Sequence, residues 1–69
     1  MSAQHEFYAT RAAEARRDAD AATLDNVRDR CLRAEAAWQE MADRALRGDN
    51  MRAKLAAEKQ AAAEDELVG

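Results

Sequence analysis

The densest run of large apolar side chains in this chain lies in residues 24–45, LDNVRDRCLRAEAAWQEMADRA. Within this run, apolar residues recur at alternating steps of four and three. These positions are Val27, Cys31, Ala34, Trp38, Met41 and Ala45. Such spacing keeps one face of an α-helix apolar. We therefore predict that this helix is the framework on which the rest of the chain packs.

The composition predicts an all-α protein. The 69 residues are enough for one small domain, and they include no proline and only two glycines. Few residues therefore interrupt a helix, and the abundant alanine, arginine and glutamate all have high helix propensity. No segment shows the sustained alternation of apolar and polar residues that a half-buried strand requires.

The first predicted helix covers about residues 3–22. Ser2 can act as its N-cap, and Glu6 places a negative charge in the first turn, where the helix dipole favours it. One side of this helix carries an apolar stripe made almost entirely of alanine, which lets another backbone approach closely but adds little burial of its own. The stripe consists of Tyr8, Ala12, Ala15, Ala19 and Ala22, with Phe7 beside it.

The second predicted helix covers about residues 26–47, with Thr23 or Asp25 as its N-cap. The turn before it contains neither glycine nor proline, so we expect a short turn and an antiparallel helical hairpin over residues 1–48. A single uninterrupted rod is the alternative. The hairpin is favoured because it sets small side chains opposite large ones. The expected neighbours are Ala12 and Ala15 with Ala34 and Trp38, and Phe7 and Tyr8 with Met41 and Ala45.

Residues 49–69 are predicted to form a C-terminal helix that is weakly docked on the hairpin or extends from it. Gly48 suits a left-handed helix end, after which Asp49 or Asn50 can cap a new helix. A helix that continues through Gly48 remains the alternative. The acidic residues 64–66 are unfavourable at a helix C-terminus, so we expect this tail to fray.

Charge and composition argue against several classes of function. The net charge is −3, with 36% charged residues, so no basic patch predicts binding to nucleic acid or to an anionic membrane. No apolar run is long enough for a transmembrane helix, and no secretory signal is visible. The cytoplasm is the expected location.

Few residues of this chain can support catalysis or bind a metal. His5 is the single histidine and Cys31 the single cysteine, which excludes an intrachain disulfide and the paired thiols of a zinc site. Cys31 is interpreted as a small buried hydrophobic residue, with a redox-sensitive or interchain thiol as the alternative. No glycine-rich phosphate loop or nucleophile elbow is present. We therefore predict no enzyme, no cofactor, no metal and no small-molecule substrate.

An alanine seam alone stabilises a hairpin poorly, so we expect a third helix, a second copy or a foreign protein to complete the core. The favoured interpretation is a homodimeric, coiled-coil-like bundle. The function expected is that of a non-enzymatic protein–protein interaction module: an adaptor, regulator or inhibitor. A structural subunit of a larger assembly is the alternative, and a nucleic-acid-associated regulator is a third that the acidic charge argues against. The predicted interaction face comprises Phe7, Tyr8, Leu24, Val27, Leu32, Trp38, Met41 and Leu46.

Two segments carry a resemblance to other proteins: FYATRAAEAR at residues 7–16 and NVRDRCLRAEAAWQEMA at residues 26–42. They resemble a group of short Ala/Arg-rich bacterial proteins that pair a Tyr-x-x-Arg-Ala helix with a Val-Arg…Leu…Ala-x-x-Trp helix. The likeness covers residues 7–47 and implies a helical hairpin, without implying any functional residue. Those proteins often carry a proline at the turn, where this chain reads Leu24-Asp25-Asn26.

Overall fold

Two helices make up nearly all of the structure, a computed structural model that describes residues 2–68. Helix α1 spans Ala3–Ala21 and helix α2 spans Asp25–Val68, with residues 22–24 between them. No strand occurs within residues 2–68. The all-α prediction is confirmed.

Helix α1 begins with the N-cap that the sequence predicts. The hydroxyl oxygen of Ser2 accepts a hydrogen bond from the backbone N–H of His5 at 3.2 Å, and Glu6 lies in the first turn. At the other end, the backbone of Ala22 is extended, and its N–H donates to the carbonyl of Ala19 at 3.2 Å. The chain therefore leaves α1 without a left-handed residue.

Helix α2 begins differently from the sequence prediction, because neither Thr23 nor Asp25 holds the N-cap position. Leu24 precedes the helix, and its carbonyl accepts from the N–H of Arg28 at 3.0 Å. The Arg28 guanidinium also reaches the carbonyl of Ala22 at 3.1 Å and the carboxylate of Asp25 at 3.8 Å. Arg28 therefore joins the two sides of the turn as a hydrogen-bond donor.

The predicted helix break at Gly48 is wrong, because α2 continues through this residue. Gly48 does not adopt a positive φ, and Asp49 does not cap a new helix. Instead, the Asp49 carboxylate bonds to the backbone N–H of Ser2 and to Arg52 one turn later. A mid-helix glycine costs about 1 kcal/mol relative to alanine, and the strong helix formers at residues 44–47 and 51–57 offset that cost. The C-terminal helix is therefore an extension of α2.

The two helices run in opposite directions over the length of α1. Ser2, before the start of α1, contacts Asp49 in α2, whereas Arg16, near the end of α1, approaches Glu35 at 3.7 Å. The molecule measures 67 × 14 × 12 Å. Helix α2 has 44 residues and at 1.5 Å per residue is about 66 Å long, so α2 alone sets the long dimension of the molecule. Residues 51–67, here called the overhang, extend beyond α1 and are exposed throughout.

Only small side chains are buried between the helices. The buried apolar residues of the described chain are Ala12, Ala15, Ala19 and Ala42. The first three belong to the alanine stripe predicted for α1. On α2, Ala42 occupies the seam where Met41 was expected, and Met41 is 40% exposed. Alanines bring the backbones close together, so a long side chain fits only beside the seam.

Candidate interaction face

Three aromatic rings form a cluster across the two helices. The rings of Tyr8 and Trp38 stack with centroids 6.0 Å apart, and Phe7 meets Trp38 edge-on at 6.1 Å. Phe7 and Tyr8 also touch edge-on at 5.6 Å. Each such pair adds about 0.5–1.5 kcal/mol beyond its area burial. Phe7 is nevertheless 49% exposed, and the Arg11 guanidinium lies over its ring at 5.2 Å.

Two open grooves flank this cluster. One has a volume of about 400 Å³ and lies between α1 and the middle of α2. Its lining residues are Gln4, Tyr8, Met41, Arg44, Ala45, Gly48 and Arg52. The other, of about 320 Å³, lies nearer the turn and is lined by Arg11, Glu14, Ala15, Asp18, Cys31, Ala34 and Trp38. Ala34, Met41 and Gly48 are seven residues apart, so both grooves open on the same side of the helix pair.

A line of uncharged residues runs along this side of α2 and continues onto the overhang. Its members, here called the second stripe, follow each other every seven residues: Ala34, Met41, Gly48, Leu55 and Ala62. Met51 lies next to this line, and both Met51 and Leu55 are 56% exposed. Sequence reasoning missed the second stripe, although its seven-residue spacing is visible in the sequence. The sequence prediction placed Ala34 and Met41 on one stripe with Trp38 and did not extend their spacing to Gly48, Leu55 and Ala62.

The predicted interaction residues do not assemble into one face. Phe7, Tyr8, Trp38 and Met41 come together around the grooves. Leu24 lies in the turn and is exposed, and Val27 is half-buried near the start of α2. Leu32 and Leu46 are also half-buried, but they lie nine and five residues from Met41, which places them on a different side of α2.

Ion pairs lie on the surface of both helices and contribute little to stability. Most join residues three or four positions apart on one helix, and such exposed pairs contribute a few tenths of a kcal/mol each. The pairs within one helix are Arg11–Glu14, Arg16–Asp20, Asp25–Arg28, Glu40–Arg44 and Asp49–Arg52. Among the described residues, Arg16–Glu35 is the one pair between helices.

Asp49 is the acidic residue whose surroundings are most distinctive. Its side chain is only 18% exposed and accepts from the backbone N–H of Ser2 at 3.2 Å. The hydrogen bond from Ser2, and then the guanidinium of Arg52, lower the pKa of Asp49 below its ordinary value. Asp49 therefore joins the start of α1 to the middle of α2 in its charged form.

The remaining reactive side chains lie apart from each other. The buried Nδ1 atom of His5 has no hydrogen-bond partner among residues 2–68. Cys31 is half-buried, with a free thiol on the lining of the smaller groove. Within residues 2–68 no group of three or more histidine, cysteine or carboxylate side chains could hold a metal ion. The arrangement presents partly exposed apolar side chains beside two open grooves.

Comparisons with known proteins give no relative. No protein-family model, curated protein or solved structure matches this chain. The resemblance to Ala/Arg-rich bacterial hairpin proteins therefore stays a prediction. Neither described helix combines the length and the apolar character needed to span a membrane.

Proposed function

We propose that this protein is a small non-enzymatic interaction module, an adaptor, regulator or inhibitor, that binds another protein through the side of the helix pair carrying Phe7, Met41 and the second stripe. One observation carries the proposal. The side chains buried in the described chain are alanines, whereas the large apolar side chains stay at least partly exposed. Binding energy is therefore still to be gained on this face.

Burial on this face would add to a weak core. A small domain buries a smaller share of its surface than a large one, and four alanines supply little of the apolar area that folding requires. Soluble monomers rarely leave contiguous apolar patches uncovered. The antiparallel hairpin is therefore completed by another chain, either in a homodimeric bundle or with a different protein in the cytoplasm.

The aromatic cluster suits a binding surface. Tryptophan and tyrosine are enriched among the residues that dominate interface energies. Trp38 is held by Tyr8 and Phe7 in a fixed orientation, so little side-chain entropy would be lost on binding. The adjoining groove of about 400 Å³ runs between α1 and α2. An amphipathic helix of a partner can bind in a groove of this kind.

A structural subunit that folds only inside a larger assembly is the second candidate. The small alanine core is the observation that favours it. Circular dichroism of the isolated protein separates the two candidates. A cooperative helical unfolding transition supports the interaction module, and a largely unfolded isolated chain supports the subunit.

A nucleic-acid-associated regulator is the third candidate and has the least support. The net charge of −3 opposes the phosphate contacts that dominate nucleic-acid affinity. A salt-sensitive gel shift with the purified protein would favour this candidate over the interaction module.

The main test compares two lysine substitutions that change charge equally. Met41→Lys places an ammonium group on the proposed binding face, and Ala36→Lys places one at an exposed position on another side of α2. We expect tagged Met41→Lys to lose the proteins, or the second copy, that the unmodified chain retains in quantitative affinity capture. Ala36→Lys should retain them. Equal capture by both variants contradicts the proposed face.

A further inference from the structure

We infer that the second stripe binds a second copy of this chain, antiparallel to the first, with a two-fold axis beside Gly48. This inference rests on the proposed function and identifies the partner of the same face. Residues 51–67 are exposed in the single chain. The proposed dimer gives this overhang a binding partner. In the pair, each overhang lies beside the other copy's α1 and α2.

The residues before and after Gly48 match each other in the way that a two-fold axis at Gly48 requires. In a two-fold interface, residue i of one copy meets residue j of the other, and j meets i. Residues equally distant from Gly48 are complementary at three separations. At seven residues, Met41 meets Leu55; at fourteen, Ala34 meets Ala62; and at eighteen, Arg30 meets Glu66.

These positions lie on one side of α2. At 3.6 residues per turn, residues 30, 34, 41, 48, 55, 62 and 66 all fall within an arc of about 80°. The span from Arg30 to Glu66 is about 54 Å at 1.5 Å per residue. The contact therefore extends over most of the 67 Å molecule, with the smallest residue at its centre.

Gly48 allows the two α2 helices to approach at the axis. It has no side chain, and it lies on the lining of the larger groove together with Met41. Leu55 of the second copy reaches the groove of the first, next to Met41. Because the operation is two-fold, the same contact forms twice, and it covers Met41 and Leu55, which are 40% and 56% exposed in the single chain.

Charge agrees with this arrangement at the ends of the contact. Arg30 and Glu66 are both exposed, and neither forms an ion pair within the described residues 2–68. The antiparallel pair brings the acidic residues 64–66 of one copy beside the arginine-bearing start of α2 in the other. Near the axis, Arg44 faces Arg52 of the second copy, and each of them holds a carboxylate of its own chain.

A second copy explains this order better than a foreign helix does. A foreign partner needs complementarity to its own sequence and gives no reason for residues on either side of Gly48 to match each other. Self-complementarity at three separations, with opposite charges at the outermost one, is a property of an isologous interface.

Disulfide cross-linking in a Cys31→Ala background tests the orientation. We expect a chain carrying Met41→Cys and Leu55→Cys to form a covalent dimer under mild oxidation. The matched control carries Asp43→Cys and Ala53→Cys, which are also equally distant from Gly48 but lie on the opposite side of α2, and it should form no disulfide-linked dimer. Met41→Cys alone should not cross-link, because its two copies are about 21 Å apart along an antiparallel pair. Cross-linking of the control, or of Met41→Cys alone, overturns the geometry.

A charge exchange tests the same interface without cysteine. Arg30→Glu should raise the dimer dissociation constant about twofold to thirtyfold, which is the range for the loss of two exposed ion pairs. Arg30→Glu combined with Glu66→Arg should restore it, and Arg17→Glu should leave it unchanged. Sedimentation equilibrium over a hundredfold concentration range measures all four proteins. A chain that is monomeric throughout overturns the second copy, and loss of capture by Met41→Lys would then still support the proposed function with another partner.

Discussion

The backbone N–H of Ser2 donates to the carboxylate of Asp49 at 3.2 Å, across 47 residues of sequence. This bond joins the N-terminal end of α1 to the middle of α2. The same Ser2 caps α1 through its hydroxyl oxygen, and Asp49 also binds Arg52. The position where α1 starts is therefore fixed by a contact with α2, at the place where the overhang begins.

Asp49→Asn should destabilise the helix pair at neutral pH and change its response to acid. The pKa of Asp49 is lowered in the folded chain by the Ser2 hydrogen bond and by Arg52. Its stabilising contribution is therefore present above the ordinary aspartate pKa of about 3.9 and is lost as the pH falls through the folded value. Thermal unfolding from pH 7 to pH 2 should show a lower midpoint for Asp49→Asn at pH 7, and a difference that shrinks below about pH 4.

Asp29→Asn provides the control for this titration. Asp29 is exposed on α2, and the same change of charge there should leave the unfolding midpoint nearly unchanged at every pH. If Asp29→Asn and Asp49→Asn behave alike, the Ser2–Asp49 contact does not contribute to stability.

Ala42→Leu should destabilise the helix pair by about 1–3 kcal/mol through overpacking. Ala42 is fully buried between α1 and α2, and the alanines opposite it leave no room for three more carbon atoms. Ala36→Leu makes the same substitution at an exposed position of α2 and should stay within about 0.5 kcal/mol. Denaturant unfolding at one fixed protein concentration measures both. A more stable Ala42→Leu would mean that the seam lies elsewhere.

Local signals predicted the helical class, and with it the N-cap at Ser2 and the stripe Ala12, Ala15 and Ala19. The seam of α2 was harder to predict, since both Met41 and Ala42 fit an alternating three–four spacing after Trp38. Met41 was predicted to be buried because its apolar area is larger. In the structure, the two backbones lie so close along the alanine stripe that only the smaller Ala42 fits between them. The distance between the two helices cannot be predicted from the periodicity of the sequence.

The helix break at Gly48 was also predicted from a local signal, the glycine itself. Glycine is common just after a helix, but it takes that role only when it adopts a left-handed conformation. Here the tertiary contact of Asp49 with Ser2 occupies the side chain that would have capped a new helix. The contact joins residues far apart in sequence, so no local pattern reveals it. The second stripe, in contrast, was available in the spacing of Met41, Gly48 and Leu55.

Hydrogen exchange should distinguish the overhang from the paired part of α2 in dilute solution. Residues 51–67 have exposed side chains throughout, so their amide protons should exchange faster than those around Ala42. At high concentration the overhang should gain protection as the second copy covers it. Mass-spectrometric exchange at two concentrations measures this change, and Met41→Lys should abolish the gain. Strong protection of residues 61–63 in dilute solution would mean that the overhang packs on its own chain.

Gly48→Ala should have opposite effects on the single chain and on the dimer. Gly48 lies in the interior of α2 without a positive φ, so alanine should stabilise the helix by about 1 kcal/mol. An added Cβ would meet only the Arg52 guanidinium, at 3.5 Å, which is an ordinary contact. At the proposed two-fold axis, however, two added methyl groups would hold the α2 helices apart, and Gly48→Leu would do so more strongly.

Asn50→Ala is the matched control, because it also raises helix propensity but lies on another side of α2. Unfolding of dilute protein and sedimentation equilibrium should be measured on all three variants. We expect Gly48→Ala and Asn50→Ala both to raise the unfolding free energy of the single chain, and only the Gly48 substitutions to weaken the dimer, Leu more than Ala. A dimer that tolerates Gly48→Leu has its helices in contact along some other line of α2, since the axis residue has no space for a side chain.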